Sequence, residues 1–244
     1  MNILKANWPA PSSIHAFTTQ RGNANPAGGY ASFNLADHVG DDAAQVARNR
    51  QHLQDAEGLP SAPIWLNQTH SIDCVVVEGP EVERNADAAV TRQPNTVLAI
   101  MTADCLPITL CNQQGNEIAA IHAGWRGLVN GILETTQTQM RSEPNQCMAW
   151  IGPAICGQCY ATGEEVLDQF TQRYPFATQA FYRNDHQWYA DLPKIATKIL
   201  ETLGISPIYQ SHACTFESNN HYYSYRREPQ TGRIATLIWF QDTV

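Results

Sequence analysis

The amino-acid sequence predicts a mixed α/β fold of the α+β kind, held in a single domain over residues 1–244. Three observations carry that expectation. Short segments rich in β-branched residues recur between helical segments with recognisable start and stop signals. They follow no regular βαβ period, so a doubly wound parallel sheet is not indicated. The composition, 43% apolar and 16% charged, is that of an ordinary globular chain with enough apolar side chains for a sizeable core. No internal repeat or low-complexity stretch interrupts it.

In chain order, RGNANPAGGYASFN (21–34), rich in Gly, Pro and Asn, predicts a loop. DDAAQVARNRQHLQDAEGLP (41–60) predicts a helix opened by acidic residues and closed by Gly58 and Pro60. IWLNQTH (64–70) predicts a short strand with a polar tip, and DCVVVEGP (73–80) a second strand. TVLAIM (96–101), LPITLC (106–111) and NEIAAIHAG (116–124) predict further strands, the last two joined by a turn at NQQG (112–115). A helix is expected over LVNGILETTQTQMR (128–141) and a strand over CMAWIGPAI (147–155). Thr162 and Glu165 read as a capping box for a helix at 163–174. Asp191 reads as the N-cap of a helix that Gly204 stops, and RIATLIWF (233–240) is the final predicted strand.

The net charge of -8 argues against nucleic acid or an anionic membrane as the main partner. Local basic spots remain meaningful, because a phosphate site needs only one or two arginines. The N-terminus lacks the apolar core of a signal peptide, and no segment reaches the length of a membrane span. A soluble, cytoplasmic protein is expected. Seven cysteines scattered through a chain of this size predict reduced thiols, so a special cysteine would be a ligand or a nucleophile.

The stretch TADCLPITLCNQQGNEIAAIHAGWRGL (102–128) joins the motifs that carry chemistry. In an antiparallel hairpin, paired residue numbers have a constant sum. A two-residue loop at Gln113–Gln114 gives a sum of about 227 and sets Cys105 opposite His122. Shifting the loop by one residue leaves the pair diagonal, still on one face. Pro107 argues against this pairing unless it lies at an edge or a bulge. Asp104 is an unusual neighbour for a dry strand centre. His122 runs into AGWRG, where glycines admit close backbone approach and Arg126 stands at a helix start suited to anions. His70, at a polar strand end, completes a candidate set of His70, Cys105 and His122. Three protein ligands with an open fourth position are the pattern of a catalytic zinc rather than a structural one.

Taken together, NQTHS, TADCLPI, IHAGWRGL, IGPAIC and SYRRE...TGR resemble the YfiH family, historically described as multicopper polyphenol oxidases or laccases. TTQRGN, SFNLADHVGDD and NR (49–50) match its N-terminal half, so the resemblance covers nearly the whole chain. It implies a mixed-sheet sandwich related to the Cys–His deamidase toxins. A catalytic metal site, usually holding zinc, is implied at the positions matching His70, Cys105 and His122. So is phosphorolysis of adenosine, inosine, guanosine and methylthioadenosine, with adenosine deamination as a side activity. Bacterial members are also associated with peptidoglycan editing, in which a wrongly added serine is removed from a UDP-muramyl precursor. One departure is visible: the family commonly has adjacent cysteines where this chain reads CGQCY, giving Cys156-x-x-Cys159. These read as free thiols: the residues around them do not resemble a thioredoxin redox site, and a structural zinc needs a second pair where only the isolated Cys147 and Cys214 remain.

The chemistry of each activity can be weighed against the residues. A multicopper oxidase needs many imidazoles, typically as His-x-His pairs, and none of the eight histidines here forms one. A single copper at the three-residue set, in place of zinc, remains compatible with weak oxidase activity. Phosphorolysis needs a phosphate site, for which Arg21, Arg126 and Arg226, beside Arg227 and Tyr225, are the candidates. Arg48 belongs to a solvated helix face. Zinc would acidify a water for deamination, or orient a nucleoside or phosphate oxygen. An amidase would use the same residues without metal, Cys105 as nucleophile and His122 as base. A binding protein with a purely structural metal is the third class.

Overall fold

The computed structural model describes residues 2–22, 29–30, 33–79 and 83–242. Most of the loop expected at 21–34 therefore lies outside the described residues, as does Pro80. Strands β1 (Ile3–Lys5) and β2 (Ile14–Thr19) precede helix α1 (Ala43–Ala56). Then come β3 (Ile64–Trp65), β4 (Cys74–Val77), β5 (Ala88–Thr91), β6 (Leu98–Thr102), β7 (Leu106–Asn112) and β8 (Ile118–Ala123). Helices α2 (Trp125–Asn130) and α3 (Ile132–Gln139) lead to β9 (Cys147–Ile151), β10 (Ala161–Thr162) and α4 (Glu164–Arg173). The chain ends with β11 (Phe181–Asn184), β12 (Gln187–Ala190), α5 (Leu192–Thr202), β13 (Ile208–Gln210) and β14 (Ile234–Phe240). None of the described helices is long and apolar enough to cross a membrane.

Two mixed sheets pack face to face, as the predicted mixed α/β sandwich requires. One has the order β1-β2-β14-β6-β3 and the other β13-β9-β7-β8-β5-β4; a small third sheet runs β10-β12-β11. The period-2 alternation of side chains assigns the faces. Ile118 and Ala120 of β8 and Cys111 of β7 meet Leu98, Ile100, Ile238 and Phe240 of the other sheet. Ala119, Ile121, Ile108 and Leu110 turn the opposite way, toward α2, α3, α4 and α5. Helix α1 covers the outer face of the first sheet through Leu53. Strands buried on both faces read as continuous apolar runs, which is why β6, β7 and β8 were visible in the sequence.

The β7–β8 hairpin pairs Leu106 with Ala123 and Pro107 with His122. The turn is one step longer on each side than a two-residue loop, because the Asn112 side chain organises it. Asn112 Oδ1 accepts the backbone N–H groups of Asn116 and Glu117 at 3.0 and 3.2 Å, and Gly115 supplies a φ of 70°. Cys105 and His122 are thus diagonal on one face, the shifted register rather than the directly opposed one. Pro107 lies in an interior strand, contrary to the rule that favours edges. It sits second in β7, and its carbonyl accepts from Gly152 N–H at 2.9 Å, just past the end of β9. The missing N–H therefore falls on the last rung of the β7–β9 ladder.

Other expectations need correction. The helix expected at 128–141 starts at Trp125 and breaks at Gly131, whose φ of 105° ends α2 and begins α3. The capping box does not form. Gly163 is the N-cap of α4 without a side-chain hydrogen bond, and Thr162 belongs to β10. Of IWLNQTH only Ile64–Trp65 is a strand, because the N–H groups of residues 69–71 go to a carboxylate instead of a ladder. Asp191 caps α5 as expected, accepting Lys194 N–H at 2.9 Å.

Candidate functional site

The site is assembled around a residue that the sequence did not single out. Asp87 stands one position before β5 and is fully buried. Its carboxylate accepts the backbone N–H groups of Thr69, His70 and Ser71 at 3.1, 3.0 and 2.7 Å, and the Ser71 hydroxyl at 2.8 Å. These bonds hold His70 at a φ of 63°, a left-handed conformation that costs a non-glycine residue about 1–3 kcal/mol. The exposed His70 ring then reaches Cys105, with Nε2 3.7 Å from Sγ.

The same carboxylate orients the second imidazole. His122 lies in β8 on the inter-sheet face, and its backbone N–H donates to the Asp87 carbonyl at 2.7 Å. Its Nδ1 is 2.6 Å from Asp87 Oδ1. Burial by itself would raise the Asp87 carboxyl; the bonds and charge of His122, then the bonds from Ser71, outweigh it and hold the group at about 2. An ionised acceptor places the proton on Nδ1 and leaves Nε2 free to face Cys105.

Cys105 follows Asp104, itself at a φ of 96°. The buried Asp104 carboxylate accepts from Thr215 Oγ1 and Arg226 N–H, both at 2.7 Å, and its carbonyl accepts Ile155 N–H at 3.0 Å. Three separate segments therefore fix the backbone on which Cys105 stands. The donor atoms of His70, Cys105 and His122 all lie within 4.8 Å of one another. A tetrahedral zinc spaces sulfur and nitrogen donors roughly 3.3–3.6 Å apart, so the 3.7 Å separation of Cys105 and His70 fits a metal with little movement.

Gly124, the N-cap of α2, closes the back of the set. Its φ of -66° is open to any residue, so space is the constraint. A Cβ there would lie 2.6 Å from His70 Cδ2 and 3.1 Å from Cys105 Sγ. Gly124→Ala is expected to push His70 out of the set and lower bound metal at least tenfold while leaving the fold intact. Metal analysis beside a thermal melt checks this, and unchanged metal content would refute the steric argument.

Electrostatics make Cys105 unlike the other thiols. Burial would raise it, but the charge and hydrogen bond of His122, then those of His70, bring it down to about 6. Burial would lower His122, yet Cys105 and Asp87 push it up to about 9. Without a metal, the pair is thiolate and imidazolium between those two values. Burial moves Cys74, Cys111 and Cys147 the other way, to about 12, 12 and 11. Iodoacetamide should alkylate Cys105 in metal-free protein with a pH midpoint near 6. His122→Ala should move that midpoint upward, because burial then acts with less opposition. A midpoint unchanged in the variant would contradict the pairing.

The arginines divide. Arg126 is exposed, its guanidinium 4.4 Å above the Trp125 ring, at the start of α2. Arg226 lies 4.9 Å over Tyr160. Burial pushes the Tyr160 hydroxyl up to about 12, with Cys105 raising it further and Arg226 and Arg126 opposing. Arg21 is buried; it donates to the Asn219 carbonyl at 3.0 Å and stacks 5.2 Å from Tyr223. Its Nε has no partner among the described residues. Arg227 spends its guanidinium on the carbonyls of Thr215, Phe216 and Tyr222. Asp87, Asp104 and Tyr160 were missed as site residues. The available signal was a lone acid opening the apolar run DAAVT and a polar residue beside Cys105. The second cysteine group also differs from expectation, for Cys214 joins Cys156 and Cys159, with Glu217 beside them.

A family model described as multi-copper polyphenol oxidoreductase laccase matches residues 14–241. A Haemophilus influenzae protein named purine nucleoside phosphorylase is 42% identical over 99% of this chain and 100% of its own length. Purine nucleoside phosphorylase YfiH of Escherichia coli is 39% identical over 97% of this chain and 98% of its own. The crystal structure of a Neisseria meningitidis protein superposes with a TM-score of 0.91 and 39% identity, covering 99% of this chain and 100% of that one. Matched along almost its entire length in sequence and in fold, the chain belongs to the YfiH family, the family described as multi-copper polyphenol oxidoreductase laccase.

Proposed function

We propose that this protein is a metal-dependent purine nucleoside phosphorylase whose metal is held by His70, Cys105 and His122. The observation that carries this reading is the Asp87-anchored cluster of three donor atoms with no fourth protein ligand among the described residues. The names of full-length relatives support the nucleoside substrate. Zinc suits one thiolate and two imidazoles, copper fits the same donors, and either would supply Lewis acidity at the reacting oxygen or leaving group. Two imidazoles at the site are too few for a multicopper centre, which speaks against laccase chemistry as the main activity.

The chain's own groups would then divide the work. Asp87 holds His122 in one tautomer and His70 in its strained conformation. Arg126, exposed over Trp125, and Arg226, exposed over Tyr160, would supply cations for phosphate as it attacks the ribose. The role of Arg21 in phosphate binding stands as a separate proposal. Tyr160 stays protonated at neutral pH and so presents a donor to the departing purine. Adenosine deamination would share the same donor set. His122→Ala is therefore expected to remove phosphorolysis and deamination together; loss of one alone, measured by product chromatography, would separate the two sites.

A second reading has its own support. Cys105 held near 6 beside a His122 that leans on Asp87 is the nucleophile, base and orienting acid of a cysteine amidase. In that reading metal inhibits, and serine is released from a muramyl peptide. Chelation that raises amide hydrolysis and leaves no phosphorolysis would favour it.

A further inference from the structure

We propose that Cys156, Cys159, Cys214 and Glu217 form a second metal site, a closed structural one selective for zinc. This site shares no residue with the first. All four donor atoms lie within 4.8 Å of one another. The sequence hides the arrangement, because Cys214 and Glu217 follow the Cys-x-x-Cys pair at long range.

The backbone repeats one device twice. Cys156 and Cys159 are the first and last residues of a turn in which Cys159 N–H and Tyr160 N–H both donate to the Cys156 carbonyl at 3.0 Å. Cys214 and Glu217 stand at the same i, i+3 spacing, and Ser218 N–H donates to the Cys214 carbonyl at 3.0 Å. The two turns are tied together. Ala154 and Cys214 make a parallel bridge, and Cys156 N–H points at Cys214 Sγ at 3.4 Å. Two turns, each offering donors at i and i+3, are the common way a chain builds a closed tetrahedral zinc site. An N–H directed at sulfur stabilises a thiolate ligand in the same way that outer hydrogen bonds orient other metal ligands.

Three thiols and a carboxylate are more than a disulfide uses, and soft sulfur donors favour zinc over hard cations. Glu217 is exposed and faces a cleft of about 420 Å³ also lined by Lys194 and His212. It is the exchangeable ligand of the four.

The consequence reaches the first site through Asp104. Ile155 N–H and Thr215 Oγ1, each one residue from a ligand cysteine, are two of the groups that hold Asp104. Metal at the second site would pin both segments and so steady Cys105 from behind.

The test uses the full chain carrying Cys105→Ala, which removes the thiolate of the first site. The protein is purified under reducing conditions, loaded with zinc, and dialysed against metal-free buffer. Stoichiometric zinc is expected to remain, and adding Cys156→Ser and Cys159→Ser should abolish it. Cobalt in place of zinc should give thiolate charge-transfer absorption and tetrahedral d–d bands. Should the cysteine variants fail to fold, Glu217→Gln provides the check, with faster zinc loss to a chelator expected. Zinc absent from folded Cys105→Ala protein, zinc retained equally after both serines are introduced, or a disulfide among these cysteines in untreated protein would each overturn the proposal.

Discussion

Cys105→Ala is expected to lower phosphorolysis roughly a thousandfold in kcat/KM without unfolding the protein. On the proposed reading, the metal that this thiolate would help to hold contributes several kcal/mol to the transition state, and each ~1.4 kcal/mol is a factor of ten in rate. Stability should barely change. Cys105 lies between β6 and β7, outside both strands, and its side chain is only partly buried. Removing it leaves the His122–Asp87 pair in place, so a cost of about 1 kcal/mol is expected. Steady-state kinetics, metal analysis and a thermal melt on one preparation check all three statements. An active, metal-depleted variant would remove Cys105 from the chemistry.

Asp87→Asn should be nearly as damaging to activity and more damaging to the fold. The substitution keeps shape and volume. It replaces an acceptor-only carboxylate with a group whose NH2 can only donate. Opposite His122 Nδ1, that donor favours the other tautomer and puts the proton on Nε2, the atom needed at the metal. Second-sphere losses of this kind cost about 10–100-fold in metal affinity or activity. The carboxylate also accepts three backbone N–H groups and one hydroxyl. Weakening bonds to a buried charge costs about 1.5–3 kcal/mol each at most, so a clear fall in melting temperature is expected. The pH dependence has a definite sign. With its carboxyl held at about 2, Asp87 contributes stability that is complete above the ordinary carboxylate range and is lost as pH falls toward that value. Wild type should therefore lose stability below pH ~4 more steeply than Asp87→Asn. Equal acid melts for the two proteins would contradict the assigned role.

The sequence announced the middle of the molecule more clearly than its edges. Strands β6, β7 and β8 are apolar on both faces and sit beside strong turn signals, so their existence and pairing were legible. Their register was legible only to within one step, because Asn112 spends its side chain on the turn. Strand β5 was invisible, since AAVT is too short for alternation to register. With it went Asp87, the residue that gathers His70 and His122. Cys105 and His122 could be paired from hairpin arithmetic, but His70 comes to them through a left-handed backbone held by a carboxylate seventeen residues away in sequence. No local pattern encodes that contact. Arg126 and Arg226 stand exposed over Trp125 and Tyr160, and their role as anion contacts belongs to the proposal. Arg21 is buried and stacks on Tyr223. Cys214 looked isolated for the same reason as His70: the bridge that carries it to Cys156 is a tertiary one.

The most direct test of the account is a product assay on freshly purified wild-type protein of known metal content. Adenosine and inosine are incubated with and without phosphate, and the products are separated by chromatography. Free base and ribose 1-phosphate are expected, formed only when phosphate is present. No turnover of either nucleoside in either buffer, at full metal occupancy, would contradict it and leave Cys105 as the nucleophile of an amidase.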